Sequence, residues 1–247
     1  MNKNTLTLAK TYDYCGSGSA ELTVVLIHGI ASDSSTFNSF LEYCKNTKSL
    51  DSVRFVTFDL LGSGKSLKSD ELNYDYTDQL SALRHAIDTL DIQTPLVLVG
   101  HSLGTFIVTR YASKFPKTLS KMILISPPVY TKEDLENPAF AMAIKAFRDV
   151  VSVKDHNIVQ EKSFINSMDK IVLDKSNYDT LINIAVPTTL IYGMEDQLIA
   201  SYNIPKVLKH NPKIFTAIKT IGRHGVSREK FAKIREGIEE VLNAKTI

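Results

Sequence analysis

The feature that most constrains the fold is a serine flanked by glycines, between a strand pattern and a helix pattern. Residues 95–99 read Pro-Leu-Val-Leu-Val, typical of a buried strand, and residues 100–104 read Gly-His-Ser-Leu-Gly. Residues 105–112, Thr-Phe-Ile-Val-Thr-Arg-Tyr-Ala, follow and predict a buried helix. Gly-x-Ser-x-Gly in this context is the pattern of a nucleophile elbow, a sharp turn that exposes a strained serine above the strand ends. The glycines are needed because a Cβ at either position would clash with a neighbouring strand or helix.

Short apolar runs rich in β-branched residues alternate with amphipathic stretches along the chain. The runs cover residues 24–28, 54–60, 95–100, 121–126, 188–193 and 215–221. Their near-continuous hydrophobicity is typical of strands buried on both faces, as in a parallel sheet. Helical stripes separate some of them, as at Tyr76, Leu80, Leu83, Ile87 and Leu90, or at Phe231, Ile234, Ile238 and Val241. The sequence predicts an α/β fold, a mostly parallel sheet with helices on both faces, with a further antiparallel strand at residues 6–9.

Residues 127–186 break this alternation. They contain no convincing strand pattern, and the spacing of Phe140, Ile144 and Phe147 is helical. Prolines open and close the segment, and about sixty residues is too long for a simple connection in a compact sheet. We therefore expect a helical cap at residues 127–186, inserted between core residues 1–126 and 187–247 and lying over Ser102. The apolar face of the cap helix either lines a pocket for an uncharged group or packs as cap core.

Composition limits the class of protein. The 247 residues suit one domain with an insertion, and 43% hydrophobic and 23% charged residues are typical of a soluble globular chain. The net charge of +2, with no basic block, predicts no nucleic-acid partner. No apolar run approaches the length of a membrane span and the N-terminus lacks a secretory signal pattern, so we expect a cytoplasmic protein. Cys15 and Cys44 are too few for a disulfide framework or a metal site.

A serine nucleophile needs a base, and His224 is the histidine best placed to supply one. It lies at residues 222–225, Gly-Arg-His-Gly, on a tight loop directly after the last strand pattern. The remaining histidines have other interpretations. His28 braces a strand end, His85 is a solvated helix residue, and His210 ends a helix. His101 belongs to the elbow and points away from the serine hydroxyl, and His156 is a cap residue that is at the surface or lines the pocket.

The acid that orients the base is expected after the preceding strand, where Glu195 and Asp196 are both candidates. The resulting order of serine, acid and histidine is the one found on strand–turn–helix scaffolds of this kind. A developing oxyanion also needs donors. We expect them to be the backbone N–H groups of Leu103, at the start of the helix after the elbow, and of Ile30, in the loop after the first buried run.

Together these residues resemble the α/β-hydrolase family, specifically its capped serine hydrolases, over nearly the whole chain. The resemblance rests on motifs in the family's order: His28-Gly29, Asp59-x-x-Gly62-x-Gly64-x-Ser66, Gly100-x-Ser102-x-Gly104, Gly193-x-x-Asp196 and Gly222-x-His224. It implies that Asp196 rather than Glu195 is the acid. It also implies a serine hydrolase without cofactor or metal that forms an acyl-enzyme, with a small carboxylic ester as the default substrate. Thr105 departs from the pattern, because many relatives have a second glycine after Gly104.

Other functions stay open at this point. The same triad in capped relatives also cleaves carbon–carbon bonds, opens lactones, hydrolyses thioesters and catalyses a lyase step in menaquinone synthesis. A hydrolase fold can also serve as a binding protein with little turnover, although an intact Ser102, Asp196 and His224 favours an enzyme. A phosphate-binding loop at residues 62–66 is the weakest alternative, because Asp59 stands where that loop needs a glycine.

Overall fold

In the computed structural model, which describes residues 6–152 and 158–244, a seven-stranded sheet forms the centre of the molecule. Its strands are β1 (Ala9–Cys15), β2 (Leu22–Ile27), β3 (Val53–Asp59), β4 (Leu96–His101), β5 (Lys121–Ile125), β6 (Thr188–Gly193) and β7 (Phe215–Thr220). They lie in the order β1-β3-β2-β4-β5-β6-β7, and β1 pairs with β3 antiparallel while the other neighbours are parallel. The predicted mostly parallel sheet is confirmed.

Helices cover both faces of this sheet, as predicted. They are α1 (Asn38–Lys45), α2 (Tyr76–Asp88), α3 (Leu103–Lys114), α4 (Lys132–Glu136), α5 (Pro138–Ser152), α6 (Glu161–Ser167), α7 (Asn177–Ile182), α8 (Ile204–His210) and α9 (Arg228–Asn243). Single 3-10 turns lie at Ser34–Phe37, Lys48–Leu50, Pro116–Thr118 and Ser201–Asn203, and a π turn at Met168–Val172. One core cluster joins the sheet to α1 and α9, and the other joins its opposite face to α2, α3 and α8. Burial of both faces accounts for the continuous apolar runs, since every residue of β2, β4 and β5 is buried.

The first strand lies later than predicted. We expected it at residues 6–9, but β1 runs from Ala9 to Cys15 and shares only Ala9 with that range. Leu8 is buried in the core outside the strand, while β1 is an edge strand whose residues are half-buried or exposed. An edge strand pairs with a neighbour on one side only and stays partly exposed. It therefore lacks the continuous apolar run that marks a strand buried on both faces.

The described residues between β5 and β6 are mainly helical. They include α4 to α7 and the π turn, and their β pairing is limited to an isolated bridge between Ser63 and Val159. On α5, Phe140, Ile144 and Phe147 are half-buried, whereas Met142 is 73% exposed. His156 lies outside the described residues. The division into core residues 1–126 and 187–247 and a cap at residues 127–186 stays a prediction.

Candidate active site

Ser102 lies at the turn between β4 and α3, with φ 51° and ψ −117°. A residue with a Cβ is strained in this conformation and keeps it only where the surrounding structure enforces it. The chain is packed tightly here: a Cβ on Gly100 would come within 2.6 Å of the Gly104 carbonyl oxygen, and one on Gly104 within 2.3 Å of the Ile27 carbonyl oxygen. The glycines on either side of the serine are therefore required by close backbone contacts.

A cavity of about 540 Å³ opens beside Ser102, and its wall is largely apolar. Phe140, Ile144 and Phe147 of α5 form part of this wall, and Leu198 and Ile199 line it from the loop after β6. The polar side chains along the described lining are Ser32, His101, Ser102, Tyr130, Gln197, Tyr202 and His224. Among the described residues, no Asp, Glu, Lys or Arg lines the cavity. An uncharged group therefore suits this space better than a charged one, because the wall offers no opposite charge.

His224 and Asp196 form a hydrogen-bonded pair at the carboxyl ends of β7 and β6. The Nδ1 atom of His224 lies 2.9 and 3.0 Å from the two carboxylate oxygens of Asp196. The Asp196 side chain is fully buried, and that of His224 is 21% exposed and lines the cavity. Glu195, the other predicted acid, instead has a side chain that is 64% exposed and 3.8 Å from Arg223. The structure thus brings Asp196, and not Glu195, to the imidazole.

Asp196 is suited to stay ionised beside the imidazole. Burial raises the pKa of its carboxyl, but the hydrogen bond and charge of His224, the Leu198 N–H and the Ser126 hydroxyl together lower the pKa below its usual range. The Leu198 N–H lies 3.0 Å from Oδ1. An ionised carboxylate fixes the proton of His224 on Nδ1, which leaves Nε2 free to accept a proton.

The predicted oxyanion donors, Leu103 and Ile30, both line the same cavity. Leu103 is the first residue of α3, and the first N–H groups of a helix have no acceptor within it. Ile30 lies in a turn that ends at Ala31, whose φ is 52°. His28 holds the start of this turn, since its Nδ1–H donates to the Gly29 carbonyl (2.7 Å) and its Nε2 accepts from the Leu60 N–H (2.9 Å). Burial lowers the pKa of His28, in keeping with this neutral, bracing role.

His101 has a role that the sequence analysis did not identify. Its ring is buried, lies 5.2 Å from the ring of His224, and places Nε2 3.0 Å from the His224 carbonyl oxygen. Burial, and then the nearby charge of His224, lowers the pKa of His101 to about 3. A neutral His101 therefore donates Nε2–H to the backbone of the base. Its position next to Ser102 in the motif was the available signal, but we expected it only to point away from the hydroxyl.

The loop at residues 62–66 is structural. The Asp59 carboxylate fills its interior, accepting from the Lys65 N–H at 2.8 Å and from the Ser34 N–H at 2.9 Å. The Ser66 hydroxyl donates to the Asp59 carbonyl at 2.5 Å. A carboxylate in the interior of the loop would repel a phosphate, so the nucleotide-binding alternative does not fit.

Within residues 6–152 and 158–244, no group of three or more His, Cys, Asp or Glu side chains is arranged to hold a metal ion. In the same part of the chain, no helix combines the length and the apolar character needed to cross a bilayer.

Comparison with known proteins supplies independent information. A family model described as alpha/beta hydrolase fold matches residues 23–151. An uncharacterized protein of Mycobacterium tuberculosis is 32% identical over 124 residues, which are 50% of this chain and 33% of that protein. "Probable lysophospholipase BODYGUARD 1" of Arabidopsis thaliana is 32% identical over 114 residues, 45% of this chain and 24% of that protein. The chain thus spans a third or less of the length of these two curated relatives.

Among solved structures, the monoacylglycerol lipase of Paleococcus ferrophilus superposes with a TM-score of 0.69. The superposition covers 96% of this chain and 99% of the lipase, at 19% sequence identity. At that identity the likeness concerns the fold alone.

Proposed function

The chain belongs to the alpha/beta hydrolase fold family, and from that premise we propose that it is a serine hydrolase that cleaves small carboxylic esters. One observation carries the proposal: a carboxylate-bound imidazole, His224, lines the same apolar cavity as the strained Ser102. A serine, a base oriented by an acid, and an uncharged pocket are the parts that acyl transfer requires.

In the proposed reaction, the Ser102 oxygen attacks the ester carbonyl while Nε2 of His224 takes the hydroxyl proton. The negative charge on the carbonyl oxygen of the tetrahedral intermediate is stabilised by the N–H groups of Leu103 and Ile30, each worth about 10²- to 10³-fold in rate. The intermediate then expels the alcohol, which receives the proton from His224, and the acyl group stays on Ser102. A water molecule, deprotonated by His224, then attacks the acyl-enzyme, and the acid is released as the Ser102 oxygen takes the proton back from His224. Asp196 stays ionised throughout and stabilises the imidazolium.

The cavity supports an acyl group with an alkyl chain as the preferred substrate part. Its wall offers apolar contacts from α5 and from the loop after β6 and, in its described part, no Lys, Arg, Asp or Glu. Burying each methylene contributes about 0.8 kcal/mol. The name of one similar protein, a probable lysophospholipase, points to an ester that carries a single acyl chain. We therefore propose monoacyl esters as the substrate class.

The test is hydrolysis of p-nitrophenyl esters of increasing acyl length, measured as the release of p-nitrophenolate. Replacing the nucleophile by Ser102→Ala should lower kcat by about 10⁴-fold or more. Ser113→Ala is the matched control, because Ser113 lies on α3, the helix that follows Ser102, is exposed, and is outside the cavity. Retained activity in Ser102→Ala would show that the nucleophile is elsewhere. Absence of turnover in the unsubstituted protein would contradict the esterase proposal and favour carbon–carbon cleavage, a lyase step or ligand binding.

A further inference from the structure

Lys230 is a buried lysine that the mechanism above does not use. It lies in the first turn of α9 and its side chain is fully buried, which is unusual for lysine because its charge loses hydration there. Its Nζ lies 3.0 Å from Ser126 Oγ, 2.5 Å from the Arg223 carbonyl and 2.7 Å from the Gly225 carbonyl. An ammonium has three N–H donors, so these three acceptors match a protonated Lys230 in number. Burial lowers the pKa of Lys230, and the negative charges of Asp196 and Glu229 oppose that effect.

Two of these acceptors are the carbonyls on either side of His224. The carbonyl of His224 itself accepts from Nε2 of His101 at 3.0 Å. Side chains from α9 and β4 therefore bind three successive carbonyls of the loop that carries the imidazole. Because the position of a side chain follows that of its backbone, this arrangement restrains where the ring of His224 can lie.

The third acceptor connects Lys230 to the acid. Ser126 follows β5, is fully buried and has a φ of 49°. Its Oγ accepts from Lys230, and its hydroxyl is among the groups that lower the pKa of Asp196. A hydroxyl can accept one hydrogen bond and donate another, so Ser126 can connect the ammonium to the carboxylate.

Stability alone does not account for a lysine at this position. A buried charge costs several kcal/mol of solvation, and an apolar residue of similar size is often neutral or stabilising in such a place. What an apolar residue cannot do is bind the carbonyls of Arg223 and Gly225 and orient Ser126.

We infer that Lys230 is a positioning residue, which holds the His224 loop and, through Ser126, the Asp196 carboxylate in the arrangement that Ser102 needs. The inference rests on the proposed serine hydrolase function. Lys230 does not touch the substrate; it acts on the base and on the acid from behind the site.

The experiment compares Lys230→Met with Lys233→Met in the full chain. Lys233 is the matched control, because it is on the same helix, is 40% exposed and pairs with Glu236 at 2.9 Å. With p-nitrophenyl esters, Lys230→Met should lower kcat by about 10- to 100-fold with KM changed less than about threefold, because a small misplacement of a catalytic group has an effect of this size. Lys233→Met should match the unsubstituted protein.

The pH profile separates positioning from a merely structural role. The charged and titratable groups around Lys230 are Asp196 after β6, His101 on β4, His224 and Arg223 in the loop, and Glu229 on α9. Removing the ammonium removes a positive charge from beside the loop that carries the base, so the acid limb of kcat/KM should move to higher pH. A variant that only loses stability would keep the limb where it is.

A second variant and a substrate-independent probe cover the other outcomes. If Lys230→Met does not fold, Ser126→Ala keeps the lysine but breaks its connection to Asp196, and should lower kcat by about tenfold. A fluorophosphonate that labels reactive serines should modify Ser102 more slowly in either variant. Labelling, kcat and acid limb equal to those of the unsubstituted protein in the folded variants would overturn the inference about Lys230 alone. A failure of the unsubstituted protein to be labelled would overturn the proposed function, and this inference with it.

Discussion

Narrowing the cavity at α5 tests where the acyl chain lies. Ile144 lines the cavity beside Ser102, whereas Met142, two residues earlier on the same helix, is 73% exposed and is not part of the lining. We expect Ile144→Trp to fill part of the cavity beside α5, and Met142→Trp to place the same indole in solvent.

The size of the effect follows from the space removed. An indole exceeds the side chain of isoleucine by about two to three methylene volumes in a close-packed wall. Each methylene kept out of the cavity forfeits about 0.8 kcal/mol, which is about fourfold in kcat/KM. Esters with long acyl chains should therefore lose about 15- to 60-fold in kcat/KM. The acetate ester, too short to reach α5, should change by less than about twofold.

The assay is kcat/KM for p-nitrophenyl acetate, butyrate, octanoate and decanoate with both variants and the unsubstituted protein. In the unsubstituted protein and in Met142→Trp, kcat/KM should rise by about fourfold per methylene until the chain fills the cavity. In Ile144→Trp the rise should end at a shorter chain. An equal loss for acetate and decanoate, or no loss for either, would refute the reasoning, because the acyl chain would then not lie against α5.

Other predictions concern the acid, the base and His101. Asp196→Asn should lower kcat by about 10⁴-fold while Glu195→Gln stays near the unsubstituted value; steady-state kinetics showing the reverse would move the acid to Glu195. Ester hydrolysis should fall as the pH is lowered from about 8 to about 5, because a protonated imidazole cannot accept the hydroxyl proton of the serine, and a flat profile would argue against a histidine base. Because burial lowers the pKa of His101 to about 3, the unfolded chain binds a proton there at higher pH than the folded one. The free energy of unfolding should therefore decrease as the pH is lowered from about 6.5 to about 3, and His101 should account for about 5 kcal/mol of that decrease. In His101→Gln, urea unfolding should show a weaker dependence on pH across this range, and an unchanged dependence would contradict the assignment.

Local patterns were sufficient wherever a structure depends on neighbouring residues. The five central strands are buried on both faces, so continuous apolar runs marked them within a residue or two. The stripes on α2 and α9 follow the helical period, and their residues are buried except Tyr76 and Val241, which are half-buried. At the elbow, glycine is needed at position 100 because of a contact within the sharp turn itself, whereas Gly104 faces the Ile27 carbonyl oxygen of the neighbouring strand β2. The edge strand β1 escaped the same patterns, because its one-sided packing leaves no continuous apolar run.

Which distant groups meet was decided by the tertiary structure. Residue types and order alone left Glu195 and Asp196 as alternatives. The turn after β6 directs Asp196 to the imidazole and Glu195 to solvent, and that direction depends on the neighbouring strand β7. Lys230, Ser126 and His101 form one hydrogen-bonded cluster around the His224 loop although they come from different parts of the chain. No sequence spacing relates them, because α9, β5 and β4 become neighbours only when the sheet has assembled. The sequence by itself determined the five central strands, the helices α2 and α9 and the turn at Ser102, because these follow from local burial and backbone sterics. The tertiary structure alone decided which groups surround the base, because hydrogen bonds between residues distant in sequence form only where whole helices and strands pack together.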